Sequence, residues 1–478
     1  MHWKPGRRSF LSSLAVAGAG LLSPGTLNAA AGVMTKAAAA KTMKAGSRCD
    51  GDPIIAIKSG LGSTGNIYAE LGLTPIINTG GTITVIGGSL MKPEVMELMR
   101  MGNEHFVFMD ELEVAAGKFI ANICRSPAGY TGLVTNGAAA SNLVGYAAMM
   151  TEDFESRMEA IPDLTGFPRT EVIIQKSHRN PFDHQIRQTG AKLVVVETRD
   201  EMIAAINPRT VAIHFTNILS GKGQVSAAET VAIAKAHNIY TFCDASADVP
   251  PVSRLWEYPA IGFDMVTFSG GKDICGPAGT GILIGREDLI RWSLLNMSPQ
   301  EDRIGRPCKV GKEGVFGLLK ALELFVNQDY DATLKMYDAR AQAITEALAK
   351  FGVTALPREL DPNRLGGSDT PSYSWQWDPA KINLTGKQVI AALVETRPLS
   401  IGYVLPPDYA GSEGKRGRPD PNALASTGAA AWARSRPDNQ NPSSFGFPTW
   451  QLKDGQEKII ADRLVEIFAA ATPGTHKS

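Results

Sequence analysis

Six short apolar runs dominate the middle of this 478-residue chain. They are Val172-Ile173-Ile174, Leu193 to Val196, Val211 to Phe215, Ile239 to Cys243, Met265 to Phe268 and Ile282-Leu283-Ile284. A strand with one wet face alternates polar and apolar residues. A nearly continuous β-branched run instead suits a strand buried on both faces of a largely parallel sheet. Helical stretches near 180–189, 199–206 and 226–237 separate several of the runs. Upstream, Asp110 to Cys124 carries apolar residues at helical spacing (Leu112, Ala115, Ala116, Phe119, Ile120, Ile123), and Ala138 to Met150 predicts a second helix. Strand and helix in alternation give an α/β fold with one large, mostly parallel sheet.

The length exceeds what one compact core usually holds, so two domains are expected. The pattern changes after residue 310. Long helical stretches run from Lys312 to Phe325 and from Asp331 to Phe351. Strand-like pieces follow at Ser372 to Trp377 and Leu399 to Val404, and a closing helix at Gly455 to Ala470. Residues 67–309 are expected to form the large domain. Residues 310–471 are expected to form a smaller α+β domain, with a Pro/Gly-rich insertion at 405–449.

The first thirty residues resemble an export signal. Arg7-Arg8 precede Phe10-Leu11, an apolar stretch reaches Leu22, and small residues follow near Ala29-Ala30-Ala31. That order is a secretory signal, and the paired arginines resemble a twin-arginine address. A periplasmic protein, folded around its cofactor before export, is the expectation. The full chain balances 48 basic against 48 acidic residues. Without Lys4, Arg7 and Arg8 it holds 45 basic against 48 acidic, a net charge of −3. A nucleic-acid partner normally requires a basic excess, so none is expected. No apolar run reaches the roughly 18 residues of a membrane span. The five cysteines (Cys49, Cys124, Cys243, Cys275, Cys308) are odd in number, scattered and without a CxxC, which argues against a disulfide scaffold and a zinc ribbon.

Residues 31–66 have linker composition. They include Gly60-Leu61-Gly62-Ser63-Thr64-Gly65, a match to a dinucleotide-binding loop. No acidic residue lies between Glu70 and Glu94 to hold a ribose, so a glycine linker is the better reading and a nicotinamide enzyme the weaker one.

Three features carry chemistry. Thr267-Phe268-Ser269-Gly270-Gly271-Lys272 sets a lysine at the exit of an apolar strand, where burial lowers its pKa and makes it a nucleophile toward aldehydes. Phe242-Cys243-Asp244 sets an aspartate at the carboxyl end of another strand, where α/β sheets bind ligands. Thr135-Asn136-Gly137-Ala138-Ala139 opens an Ala-rich helix whose first N–H groups suit a phosphate. Each alone has an ordinary structural explanation: a solvated turn, a helix cap, an N-cap. Together, in this order, they are the Schiff-base lysine, ring-nitrogen acid and phosphate loop of a pyridoxal 5'-phosphate site.

These motifs resemble the bacterial selenocysteine synthase superfamily of fold-type-I pyridoxal-phosphate enzymes, nearest to the branch holding D-glucosaminate-6-phosphate ammonia-lyase. The resemblance also rests on Pro75 to Thr82, Gly87-Gly88-Ser89, Ser177-His178-Arg179-Asn180-Pro181 and Lys309-Val310-Gly311-Lys312-Glu313. It covers residues 67–330 well and the remainder loosely. It implies Lys272 as the cofactor lysine and Asp244 as its ring-nitrogen partner. Asn136, Gly137 and Ala138, with Ser269, would hold the phosphate. His178 would stack on the ring, and Asn217 would reach the phenolic oxygen. Zinc binding by His178 and His184 is discounted, because no further ligand has metal spacing beside them. Arg303 and Arg306 are candidates for a substrate carboxylate or phosphate, as the guanidinium fork matches both. They are equally well read as solvated loop arginines.

The resemblance implies a lyase: β-elimination and deamination of a hydroxylated amino acid or amino-sugar acid to a 2-keto acid and ammonia. Selenium transfer onto seryl-tRNA, aminotransferase, aldolase or racemase chemistry, and cofactor binding without catalysis are the alternatives. The resemblance also implies a homodimer or higher homo-oligomer; the small and rigid residues of the loop Ile274 to Thr280 allow a close approach there, with Thr280 as a donor to a neighbouring subunit's phosphate group, or else form a simple turn into the next strand.

Overall fold

The computed structural model describes residues 60–73, 75–82, 84–357, 366–394, 400–401 and 443–471. The export segment, residues 31–59 of the linker and residues 405–442 of the insertion lie outside the described residues. The chain divides into two compact units, 1–73 and 74–478.

In the first unit, helix α1 (Ile67–Glu70) follows the glycine loop. Gly60, Gly62 and Gly65 all have positive φ. The loop's donors are turned onto the chain's own acid. Glu70 accepts from the N–H of Gly62 at 2.5 Å and from the N–H and hydroxyl of Thr64 at 2.8 and 2.5 Å. A carboxylate sits where a dinucleotide phosphate would, which removes the support for a nicotinamide site here.

The strands of the second unit are β1 (Ile76–Ile77), β2 (Tyr130–Thr135), β3 (Glu171–Gln175), β4 (Lys192–Val196), β5 (Thr210–Thr216), β6 (Tyr240–Asp244), β7 (Met265–Ser269), β8 (Gly281–Arg286), β9 (Thr354–Ala355), β10 (Ser372–Gln376), β11 (Ser400–Ile401) and β12 (Ser444–Pro448). Its helices are α2 (Pro93–Gly102), α3 (Met109–Ile123), α4 (Gly137–Thr151), α5 (Glu155–Ala160), α6 (His184–Gln188), α7 (Arg199–Ala205), α8 (Ala227–Ala236), α9 (Arg254–Ile261), α10 (Glu287–Leu295), α11 (Lys312–Val326), α12 (Tyr330–Leu348), α13 (Gly386–Val394) and α14 (Gln456–Ala471). Capping boxes start α7 (Thr198 with Glu201) and α8 (Ser226 with Glu229), satisfying donors that the first turn leaves open.

The large sheet has the order β2-β8-β7-β6-β5-β3-β4. All neighbours are parallel except at β8, which is antiparallel to both β2 and β7. Two reversals restore the direction, so β2 runs parallel to β7. The carboxyl ends of β2, β7, β6, β5 and β3 therefore share one edge.

Both faces of the sheet are covered. Leu133, Phe242, Met265 and Leu283 point into one core, against Val144, Ala147 and Met150 of α4. Their chain neighbours Val134, Cys243, Val266, Ile282 and Ile284 point into the other, against Ile120 of α3 and Leu255 of α9. This two-residue alternation between two apolar environments is what makes the strand sequences continuous. Helix α4 lies between layers, and only Gly137 and Ala139 along it are not buried.

Strand β2 is an addition to the predicted set. Gly132 breaks its apolar run, but α3 needs that glycine. A Cβ on Gly132 would meet Ile120 at 2.6 Å, and one on Gly117 would meet the Gly132 carbonyl at 2.2 Å. Beside this contact Glu113 accepts from Val134 N at 3.1 Å. In an antiparallel pair, groups of residues 132 and 134 that face away from β8 belong to the sheet's open edge, so α3 caps that edge.

A separate core lies in the C-terminal part. Trp375, Phe445, Phe447 and Phe468 pack there with Ile344, Leu464 and Ile77. Its sheet is β12-β10-β9, and β1 pairs with β11 in a separate parallel two-stranded sheet. The boundary expected at residue 310 shifts. Val315, Leu318, Ala321, Leu322 and Phe325 of α11 are buried with Ile120 and Phe268, so α11 packs with the large sheet. Ile77, from the start of the unit, packs with the C-terminal core.

Candidate active site

Lys272 follows β7 in a turn built by glycines. A Cβ on Gly270 would lie 2.4 Å from Thr280 Oγ1, and one on Gly271 would lie 2.5 Å from Ala278 Cα. Only glycine lets this turn fold onto residues 277–280. The turn is closed by Gly276 N to Gly270 O at 2.8 Å and Gly270 N to Thr280 O at 2.9 Å. Ser89, from the Gly87-Gly88-Ser89 motif, donates to Gly271 O through both N–H and hydroxyl. Burial lowers the Lys272 pKa from its usual value. Asp244, Asp273 and Asp248 oppose the shift. The side chain is neither fully enclosed nor open to bulk water.

Asp244 ends β6, paired in register with Thr216 of β5 and Thr267 of β7. It is buried and accepts from Ser246 N and from Asn142 Nδ2, both at 3.0 Å. At the end of β2, Gly137 takes a left-handed φ of 75° and opens α4. Asn136 does not cap the helix with its side chain; its Nδ2 donates instead to Lys309 O at 3.1 Å. The first N–H groups of the helix thus lack a side-chain cap, as an anion site requires. Ser269 ends β7 opposite Gly281. A Cβ on Gly281 would strike Ala138 N at 2.6 Å, so that glycine lets β8 pass close to the helix start.

Lys272, Asp244, Ser269 and the Asn136-Gly137-Ala138 turn therefore share one sheet edge. The set fits a pyridoxal phosphate: an amine of lowered pKa, a buried carboxylate without a salt-bridge partner among the described residues, and an uncapped helix start.

Other expected residues stand differently. His178 is 0% exposed, its ring edge-on to Phe215 at 4.6 Å. Its Nδ1 receives Thr216 N at 3.3 Å. No ring face is open for a cofactor to stack on, and burial, aided by His214, pushes its pKa down to about 3. Asn217 is buried and donates to Asp248 Oδ1 at 3.2 Å. The Tyr258 phenol is a second hydrogen-bond partner of the same side chain. Thr280 is buried and its hydroxyl donates to Pro277 O of its own loop at 2.6 Å, so that proton is committed within the chain. Arg303 is held by Glu155 at 3.2 Å and Glu159 at 3.8 Å, and donates to Asp302 O at 2.8 Å. Its fork is occupied by carboxylates of the protein. Arg306 is exposed and makes no ion pair among the described residues. His184 lies exposed on α6, and no metal-binding group of three His, Cys, Asp or Glu occurs among the described residues.

The motifs missed a second layer. Asp273, beside Lys272, accepts from Ser368 Oγ at 3.1 Å and Thr370 Oγ1 at 2.5 Å. Asp248 accepts from Asn217 and, in a short bond, from Gly367 N. Arg254 donates to the carbonyls of Asp248 and Gly367 and to the Asp369 carboxylate. Segment 366–370 is thereby strapped to the loops that follow β6 and β7. Burial pushes both the Asp248 and the Asp273 carboxyls up to about 6, despite these donors. An acid directly after Lys272 and another four residues after Asp244 were visible signals. Ser368 and Thr370 had none.

Comparison with known proteins agrees with this geometry. The aminotransferase class-V family matches residues 169–299. The chain is 30% identical over 293 residues to D-glucosaminate-6-phosphate ammonia lyase of Salmonella typhimurium, spanning 59% of this chain and 76% of that protein. It is 26% identical over 311 residues to L-seryl-tRNA(Sec) selenium transferase of Desulfomicrobium baculatum, spanning 60% and 61%. A solved structure of D-glucosaminate-6-phosphate ammonia-lyase superposes with a TM-score of 0.67 at 24% identity, covering 85% of this chain and 99% of that one. With its lysine, aspartate and helix start on one sheet edge, the chain belongs to the fold-type-I pyridoxal-phosphate enzymes, in the branch of D-glucosaminate-6-phosphate ammonia lyase.

Proposed function

We propose that the protein is an ammonia lyase acting by β-elimination on a hydroxylated amino acid or amino-sugar acid. The observation that carries the reading is the single edge shared by Lys272, Asp244 and the uncapped start of α4. Bound pyridoxal phosphate supplies the electron sink for a carbanion at Cα. The chain supplies the rest. The N–H groups of Gly137 and Ala138, with Ser269, would hold its phosphate. Asp244 would accept from its ring nitrogen. Lys272 would carry it and, with its amine free, stand as the base for the Cα proton; burial lowers the pKa of that amine, which suits the task. Loss of the β-hydroxyl as water leaves a product that hydrolyses to 2-keto acid and ammonia.

Leu90, Met96, Met101, Phe106 and Phe108 are exposed within residues 90–108, with Phe106 at 100% and Phe108 at 74%. Such a patch supports assembly as a homodimer. The Arg7-Arg8 pair supports export to the periplasm.

The test is incubation of the cofactor-loaded protein with hydroxylated amino acids and amino-sugar acids. Equal amounts of ammonia and 2-keto acid are expected, and none from Lys272→Ala. Keto acid formed only when an amino acceptor is present would make the enzyme a transaminase and overturn the lyase reading.

A further inference from the structure

Helix α4 runs through the core beneath the site, and nearly all of it is apolar. Val144, Ala147 and Ala148 pack with residues of the sheet in one core, and Leu143 is buried beside them in sequence. Asn142 interrupts this stretch. Its Nδ2 donates to Asp244 Oδ2 at 3.0 Å and to Ala138 O at 3.3 Å. Both contacts are acceptors, so the chemistry determines which end of the amide faces them. Asn142 is 1% exposed and Asp244 6%.

The arrangement is costly as packing. The Asn142 Oδ1 is buried and accepts no hydrogen bond among the described residues. A buried carbonyl without a donor forfeits its hydration, and a leucine of similar volume would fill the site without that loss. A residue that breaks the local rule with no compensating structural gain marks a functional position.

The geometry around Asp244 shows what is gained. The terminal torsion of an aspartate is broad and weakly constrained by itself. Here Ser246 N fixes one oxygen and Asn142 Nδ2 the other. No cation lies within salt-bridge distance of Asp244 among the described residues. One turn further along α4, Tyr146 donates to or accepts from His214 Nδ1 at 2.9 Å, and His214 Nε2 meets Thr216 Oγ1 at 3.1 Å. Thr216 is the β5 residue in register with Asp244. The polar side of α4 is thus anchored at two successive turns to the two strands that end at the site.

We propose that Asn142 is a positioning residue: its amide sets the direction in which Asp244 presents its carboxylate to the cofactor's ring nitrogen. The inference rests on the reading that Asp244 meets that nitrogen. The experiment compares wild type, Asp244→Asn and Asn142→Leu, each titrated with pyridoxal phosphate. It measures the dissociation constant and the pH midpoint of the bound cofactor's visible absorption band. Asp244→Asn is expected to weaken binding and shift the midpoint. Asn142→Leu is expected to move both the same way, with affinity reduced about tenfold, in keeping with a hydrogen bond to a charged group. Wild-type values for Asn142→Leu beside altered ones for Asp244→Asn would overturn the positioning role. Wild-type values for both would instead remove the ring-nitrogen reading. If Asn142→Leu does not fold, Asn142→Ala removes the same hydrogen bond without adding bulk and is held to the same two readouts. Wild-type values in that variant beside altered ones for Asp244→Asn would equally overturn the proposal.

Discussion

The Asp273 carboxylate accepts the Thr370 hydroxyl at 2.5 Å across 97 positions of chain, one residue from Lys272. The C-terminal part thereby reaches the charge environment of the lysine. Ser368 adds a second hydroxyl at 3.1 Å. Thr370→Val should lower kcat/KM roughly ten- to hundredfold, the range of a hydrogen bond to a charged group. Cofactor stoichiometry should be unchanged. Steady-state kinetics beside cofactor absorbance checks this, and wild-type kinetics would show that the strap does not influence the site.

Lys272 is expected to be the sole residue carrying the cofactor covalently. Borohydride reduction of the loaded protein, digestion and mass spectrometry should place the adduct on the peptide around Gly270-Gly271-Lys272. An adduct on any other lysine would reject the assignment.

Glu113 gives a pH signature in stability. Burial pushes its carboxyl up to about 8, against the Val134 N–H that favours the charged form. The folded chain then holds a proton that the unfolded chain releases near 4.5. Stability should therefore fall as pH rises from about 4.5 to about 8 and level off above, by a few kcal/mol at roughly 1.4 per pH unit. Glu113→Gln keeps the acceptor for Val134 N and removes the titration. Its melting temperature should match wild type near pH 4 and exceed it near pH 8. Parallel melting curves at both pH values would contradict the buried-acid account.

The two arginines after residue 300 should separate. Arg303 is tied to Glu155 and Glu159 with its side chain largely buried, so Arg303→Ala should lower the melting temperature and leave KM in place. Arg306 is exposed and unengaged among the described residues. Arg306→Ala should raise KM about tenfold without shifting the melting temperature, if a guanidinium there meets an anionic substrate group. The opposite pattern would exchange the two roles.

The exposed aromatics near residue 106 should matter only in the assembled protein. Phe106→Asp with Phe108→Asp is expected to yield a smaller species by light scattering while each chain keeps its far-ultraviolet spectrum. An unchanged mass would place any interface elsewhere.

Much of this was legible in the sequence because its signals are local. The six apolar runs are strands β3 to β8; β3 and β5 to β8 are enclosed on both faces, which leaves little room for polar residues, whereas β4, at the margin, is apolar but only partly covered. Lys272 and Asp244 sit at strand ends, where short motifs show them. Strand β2 was not legible: Gly132 answers to Ile120 of α3, and no pattern within residues 130–135 reports that contact. His178 lies in a recognisable motif, but its burial is decided by Phe215 and Thr216, nearly forty residues on. The Asp273–Thr370 pair is wholly a product of the folded chain.

The helix laid along β2 also decides how sheets from different molecules can meet. With Glu113 taking the Val134 N–H and Gly117 pressed close to the Gly132 carbonyl, α3 lies over that margin and stands in the way of another strand. The opposite margin is β4, where Lys192 and Val195 are exposed. Of the two margins of the large sheet, β4 is thus the one where a strand from another copy meets no covering helix of this kind. A charge introduced at Val195 would be the economical way to raise solubility without approaching the chemistry.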